Sequence, residues 1–161
     1  MNDYLPANSN FNRLDVAIRP MRSSDLPVVI ELDAQVYRKP RPMYFERRLS
    51  ALEHSETGDH LIFLVADYQG DTIGFIMGSL TSGEFGLADV TAIIDSIAVH
   101  PRHQRQHIGQ QLIESFLSRG ASLGAKAAST LVPWENWELL KVFHALGFSM
   151  ASTVPLERQI G

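Results

Sequence analysis

The sequence predicts an α/β (α+β) fold with the element order β-α-α-β-β-β-α-β-α-β. Three observations carry this expectation. Short, apolar, β-branched runs alternate with stretches of helical periodicity along the chain. Two strongly apolar runs flank Tyr68-Gln69-Gly70-Asp71, the composition of a hairpin turn. A strand, a cationic loop and a helix follow one another directly over residues 93–123.

Taken in order, residues 1–12 are polar, with Pro6, and read as a loose tail before one domain spanning residues 13–161. Residues 15–21 alternate Val16 and Ile18 with polar neighbours and read as a first strand, with Pro20 at its end. Ser24-Asp25 supplies a helix N-cap signal and Pro27 falls in the first turn. Val28, Val29, Leu32 and Val36 then make an apolar face, so the first helix runs to about Tyr37. Pro40 and Pro42 break it. A second helix, residues 44–54, carries Phe45, Leu49 and Leu52. Residues 60–67 and 72–80 form the hairpin, and a glycine-containing loop follows at 81–86.

Residues 88–99 form the central strand, densest in apolar residues at 93–99, and Pro101 terminates it because proline offers no ladder N–H. A helix then runs from about Ile108 to Leu123, with Ile108, Leu112, Phe116 and Leu117 at helical spacing. Residues 127–132 read as the next strand. Residues 133–136 open a last helix that ends at Gly147, a fitting left-handed cap. Residues 149–158 alternate weakly and read as a closing strand.

Length and composition bound the function. The 161 residues suit one domain with a real core. Apolar residues are 45% and charged residues 20%, an ordinary globular balance. A net charge of −4 argues against a general nucleic-acid binder, which carries a basic surface excess. No apolar run reaches membrane-spanning length, and Met1-Asn2-Asp3-Tyr4 has no signal-peptide pattern. The expectation is a soluble, cytoplasmic protein without membrane or nucleic-acid partners. There is no cysteine, which excludes disulfides, thiolate metal sites and a thioester acyl-enzyme.

The strand–loop–helix segment has the chemistry of an anion site. No Asp or Glu occurs between Ser96 and Ile113, while Arg102 and Arg105 add positive charge. The unpaired amides and the positive end of a helix dipole point at whatever binds there. Gly109 lets a bulky phosphate approach the backbone without meeting a Cβ. The plainer reading is a polar strand-to-helix turn.

The run Val99-His-Pro-x-x-Gln-x-x-x-Ile-Gly109 resembles the acyl-CoA loop of the GNAT superfamily of N-acyltransferases, usually Q/R-x-x-G-x-G/A. Here the frame is Gln104-Arg105-Gln106-His107-Ile108-Gly109, with His107 where the first glycine is expected. A Cβ there narrows the approach to a pyrophosphate, which the imidazole could offset by donating a hydrogen bond. A second block, Asn136 through Phe143 to Gly147-Phe148, resembles the family's N-x-x-A-x-x-x-Y-x-x-x-G-F, with Leu139 for the small residue and Phe143 for the tyrosine. The element order also resembles the family's, so the likeness covers nearly the whole chain.

The resemblance implies a single domain with a mixed, mostly antiparallel central sheet flanked by about four helices. It implies acetyl-CoA as cosubstrate, no metal, and a small-molecule or peptide amine as acceptor, with a homodimer as one option. It places CoA against Ile97, Ala98, Val99, Gln104, Arg105, Gln106, His107, Ile108, Gly109, Gln110, Asn136 and Phe143. Ile97 and Val99 would bond the pantetheine arm through their main chain, and their side chains equally suit a core. Asn136 would touch the pantetheine, and equally serves as a plain helix N-cap. Phe143 stands where the tyrosine would protonate the departing sulfur, and a phenyl ring has no proton to give.

An amine acceptor must lose a proton before attack, and Asp95 is the candidate base. An acid within an apolar strand equally fits a pair with an arginine or a cap on a neighbouring backbone group. Glu84 and Asp89 are weaker candidates, equally readable as solvated loop acids. His103 and His107 share the spacing of a zinc pair but precede the helix and lack a third ligand. His144 follows Phe143 but points about 100° around its helix, to the surface. Arg38, Lys39, Arg41, Arg47 and Arg48 make a basic stretch that suits an acceptor bearing a carboxylate or phosphate, or a solvated helix face. Tyr37, Tyr44 and Phe45 suit either that pocket or the core.

Two functions of different class follow. One is an N-acetyltransferase working by direct transfer; the other is a non-catalytic acyl-CoA-binding or sensing module. A dinucleotide-binding oxidoreductase fails for want of G-x-G-x-x-G after the first strand.

Overall fold

A computed structural model describes residues 13–37, 39–54, 60–82 and 89–161 of the chain. The expected tail at 1–12, Arg38, Glu84 and positions 83–88 of the loop and central strand lie outside the described residues. The chain forms two compact units, Met1–Leu131 and Val132–Gly161.

The first unit is built on a five-stranded sheet in the order β1-β2-β3-β4-β5. Its strands are β1 (Ala17–Pro20), β2 (Leu61–Tyr68), β3 (Asp71–Thr81), β4 (Thr91–Val99) and β5 (Ala127–Thr130). Neighbours are antiparallel except β4 and β5, which run parallel. The sheet is therefore mixed and mostly antiparallel, as expected. Gln69 and Gly70 join β2 to β3 with φ of 54° and 94°, a pair of positive values that matches the right-handed twist of a tight hairpin.

Helices α1 (Leu26–Tyr37), α2 (Pro42–His54) and α3 (Ile108–Ser122) belong to this unit. Val29 and Leu32 of α1, Phe45 and Leu49 of α2, and Phe63, Val65, Phe75, Met77 and Ala98 of the sheet form one buried cluster. Phe45 meets Phe75 edge-on, centroids 5.7 Å apart, and Phe63 tilts against both. The alternate residues of the strands face the other way, onto α3, where Leu112, Ile113 and Phe116 are fully buried. Gly78 of β3 lies on that face, and a Cβ there would stand 2.0 Å from the Ile93 carbonyl and 2.6 Å from the Phe116 ring. Only glycine lets strand and helix close to this distance.

The β3–β4 register pairs Met77 with Ser96 and Gly78 with Ile94, so Asp95 has no partner across the ladder. This is a β-bulge. Strict alternation would send Asp95 to the α3 face with Ile97 and Val99. The extra residue instead lets Asp95 reach Arg48 on α2 while Ser96 reaches Arg41, just before that helix.

Element boundaries shift in ways the backbone explains. α2 starts at Pro42, two residues before the expected start, because proline is tolerated where no helical N–H is needed. The expected N-cap at Ser24-Asp25 is instead one 3₁₀ turn, Ser23–Asp25, leading into α1. Asp25 is buried there, taking the Arg22 backbone N–H at 2.8 Å. The central strand begins at Thr91, and β5 stops at Thr130.

The second unit holds α4 (Trp137–Ala145). Its N-cap is Asn136, whose Oδ1 accepts the Leu139 N–H at 3.2 Å. Gly147 ends it with φ of 85°, the expected left-handed cap. The closing strand expected at 149–158 does not form, so the observed order lacks the final β. Pro155 interrupts the two apolar positions Val154 and Leu156 and has no N–H for a ladder, and both neighbours are exposed.

Candidate active site

The end of β4 runs into a 3₁₀ turn, Pro101–His103, and then into α3. The N-cap of α3 is His107, in the left-handed region at φ 61°, ψ 15°, with no side-chain cap bond. Its carbonyl accepts the Gln111 N–H at 3.1 Å, so the amides of Ile108, Gly109 and Gln110 precede the first helical bond. Arg105 is also left-handed, at φ 60°. The glycine usual at position 107 is thus explained by the backbone as much as by space. Histidine adopts this region at modest cost. Its Nδ1 lies 3.1 Å from Gln110 Oε1, on the helix itself. A Cβ on Gly109 would meet only Val99 Cγ2, at 4.0 Å. That flank of the loop is open.

The loop is held from behind. The Leu14 N–H donates to the Gln106 carbonyl at 3.2 Å. Buried Gln111 donates to the Leu14 carbonyl at 2.8 Å and approaches the His107 carbonyl at 3.4 Å. These bonds tie the loop to the segment before β1, and the first-turn amides of α3 are left without helical partners. Gln104 reaches back to the Val99 carbonyl at 3.1 Å.

The β4–β5 ladder runs from Thr91–Ala127 to Ile94–Thr130 and stops. From Asp95 to Val99, β4 has a partner on the β3 side alone among the described residues. Of Ile97, Ala98 and Val99, the first and last turn their backbone groups away from β3, on an open strand edge beside the α3 loop where the Val99 carbonyl accepts from Gln104. Their side chains pack: Ala98 is in the α1–α2 core, and Val99 borders Gly74 and Gly109.

On the other side of β4 stand two arginines, Arg41 just before α2 and Arg48 on α2. Arg48 Nη2 donates to Asp95 Oδ2 at 2.6 Å. Arg41 grips Asp33 through Nε and Nη2 at 2.9 and 2.6 Å, and reaches Ser96 Oγ at 3.2 Å. Its guanidinium also lies over Tyr37, Tyr44 and Phe45, 3.9, 4.9 and 5.7 Å from the ring centroids. Asp33 is 1% exposed, so this pair is a buried clamp between α1, α2 and β4. Burial pushes the Asp95 carboxyl above the usual aspartate range, and Arg48 pulls against that rise.

The basic stretch thus divides. Arg41 and Arg48 are paired, while Lys39 and Arg47 are exposed. Asp95 thus takes the arginine pair that its sequence left open, although a separation of 47 residues hid which arginine it is, and the Arg41–Asp33 pair was not anticipated. An acid in an apolar strand together with a basic helix was the available signal. Phe45 belongs to the core, Tyr44 sits between the two arginines, and exposed Tyr37 covers Arg41. Asp89 and His144 are exposed. His103 stacks near His100 and Tyr68 while His107 turns to Gln110. Among the described residues no cluster of three metal-ligating side chains occurs. Asn136 and Phe143 lie in the second unit, where Phe143 is buried and meets Phe148 edge-on at 4.9 Å. No described helix is long and apolar enough to cross a membrane.

A sequence profile of the acetyltransferase (GNAT) family matches residues 26–148. The chain belongs to that family and is an acetyltransferase. Its fold is similar to that of a transcriptional regulator from Bacillus halodurans C-125, with TM-score 0.77 and 19% identity over 91% of this chain and 100% of that one. It is similar to aminoglycoside N-acetyltransferase AAC(6')-Iy in complex with CoA, with TM-score 0.76 and 22% identity over 90% and 95%. It is also similar to glucosamine-6-phosphate N-acetyltransferase from Arabidopsis thaliana, with TM-score 0.71 and 17% identity over 92% and 100%. No curated protein sequence matches the chain.

Proposed function

We propose that residues 13–161 act as one acetyl-CoA-dependent N-acetyltransferase that moves the acetyl group directly to an amine of a small molecule or peptide. The observation that carries this reading is the open edge of β4 from Asp95 to Val99, continuing into the first-turn amides of Ile108, Gly109 and Gln110. A strand edge offers alternating N–H and C=O groups, which suit the amides of a pantetheine arm. A helix N-terminus suits its pyrophosphate. Gln104, Arg105, Gln106 and His107 line the same loop. Asn136 and Phe143 join the cosubstrate set by resemblance to the family. The solved relative holding CoA supports the choice of donor.

In this scheme Asp95 takes a proton from the acceptor ammonium, directly or through water. The freed nitrogen attacks the thioester carbonyl, the C–S bond breaks and the thiolate leaves, and the nitrogen sheds its remaining extra proton to the thiolate or to water to give the neutral amide. Desolvation makes Asp95 a better proton acceptor than an exposed aspartate. Phe143 has no proton to supply, and none is required: a thiol with a pKa of about 8.5 leaves readily as its anion. The absence of cysteine fits a route without a thioester acyl-enzyme.

Thermal shift with CoA and thiol release from acetyl-CoA across an amine panel test this reading. CoA should raise the melting temperature, as any native-state ligand does. Gly109→Val should abolish most of that shift while leaving the unliganded fold intact, because its side chain enters open space on the binding flank. No shift at millimolar CoA, or an unchanged shift in Gly109→Val, would overturn the assignment of the loop.

A further inference from the structure

The two arginine–aspartate pairs beside β4 are not equivalent. Arg41 spends its donors on both oxygens of Asp33 and on Ser96, and three rings cover it. Arg48 makes one hydrogen bond among the described residues, from Nη2 to Asp95. A guanidinium carries five N–H donors in a planar fork, so most of the Arg48 fork is uncommitted. The side chains of Arg48 and Asp95 remain 30% and 19% exposed, against 1% for Asp33. The bulge at Asp95 turns this pair toward α2 at the point where the β4 edge opens.

We infer that the Asp95–Arg48 pair is the acceptor's recognition element, and that the acceptor is a zwitterion whose amine and carboxylate lie close together, as in an amino acid. This rests on the acetyltransferase reading above. Asp95 would receive the ammonium and Arg48 the carboxylate, each through a charge-assisted bond. The two protein groups sit within one hydrogen-bond length, so the two charges of the acceptor must be near neighbours. Tyr44, whose ring centroid is 5.6 Å from the Arg48 guanidinium carbon, backs the pair. A polycation is disfavoured on the same grounds. The nearby second acid, Asp33, is sealed behind Arg41, so each added positive charge would face Arg41 or Arg48 without an acid of its own.

The test compares matched acceptors. Amino acids and their carboxamides present the same amine with and without the anion. The carboxamide has the lower amine pKa, so its intrinsic reactivity at neutral pH is higher. The parent enzyme should nonetheless favour the acid in kcat/KM by about tenfold to a hundredfold, the range for a bond to a charged group. Arg48→Gln should collapse that ratio, mainly through KM for the acid, and Arg48→Lys should restore part of it, since the charge returns without the fork. Turnover with no acid preference, or a ratio unchanged in Arg48→Gln, overturns this inference and leaves the acetyltransferase reading standing. CoA binding with no thiol release on any amine overturns both.

Discussion

Of the carboxylates that face arginine among the described residues, Asp25 and Asp95 have surroundings that could hardly differ more. Asp25 is saturated: it accepts two bonds from Arg19 at 2.7 and 2.9 Å, one from Thr72 at 2.7 Å and the Arg22 amide at 2.8 Å. Arg19 also holds Asp67 at 2.9 Å, so one hub ties β1, β2 and β3 to the start of α1. Among the described residues, the Asp95 carboxylate has one bond, from Arg48. The consequence is opposite shifts. Its partners hold Asp25 well below the usual carboxylate range, Arg19 first among them. Burial lifts Asp95 above it. A saturated carboxylate is a structural member. An undersupplied one keeps capacity for a ligand or a proton.

The largest expected effect lies on the undersupplied side. Asp95→Asn should lower kcat/KM at neutral pH by about 10²–10⁴-fold, the usual worth of a general base. The loss should shrink as pH rises and free amine accumulates. A variant with the parent's rate and pH profile would erase the functional half of the contrast.

On the saturated side, Asp25→Ala should cost about 3 kcal/mol of stability, because it removes four hydrogen bonds at once and leaves the partly buried Arg19 guanidinium with Asp67 alone as its acid partner. Denaturant unfolding measures it, and a cost below 1 kcal/mol would show that the hub is not structural. Acid should act in the same direction. The depressed Asp25 pKa gives stability that is present above its unfolded value near 4 and is lost as pH falls through the folded one. The raised Asp95 pKa works the other way: native stability declines slightly as pH rises from the unfolded pKa through the folded one. Asp25→Ala should therefore flatten the acid limb of the stability curve, and Asp95→Asn should not.

The smallest effect should come from Arg48→Gln, whose partly exposed single bond is worth under about 1 kcal/mol to the fold. A melting temperature close to the parent's, beside a changed acceptor preference, would separate the two pairs most clearly.

Much of this was legible in the chain. Apolar periodicity located all five strands and four helices, and Gln69-Gly70 announced its hairpin. The acid-free interval from Ser96 to Ile113 marked the strand–loop–helix segment on which the proposed donor site is built. Tertiary facts stayed hidden. Nothing in I-D-S-I-A-V reports that Asp95 is a bulge, since the extra residue exists only relative to β3. His107 looked like a steric intrusion, whereas its left-handed backbone is what the position demands. Residues 149–158 misled because weak alternation outweighed Pro155 in the reading. Arg41 and Arg48 looked alike in a basic run, and only the fold distributes Asp33 to one and Asp95 to the other.

The hydrogen bonds from Leu14 and Gln111 to the α3 loop have a practical corollary. The loop's rear support comes from chain almost a hundred residues earlier, just before β1. An edit to that short lead-in, such as a deletion or a fused affinity handle that displaces Leu14, should register first as weaker grip on the donor's phosphates. Only later, if at all, should it register as a lower melting point.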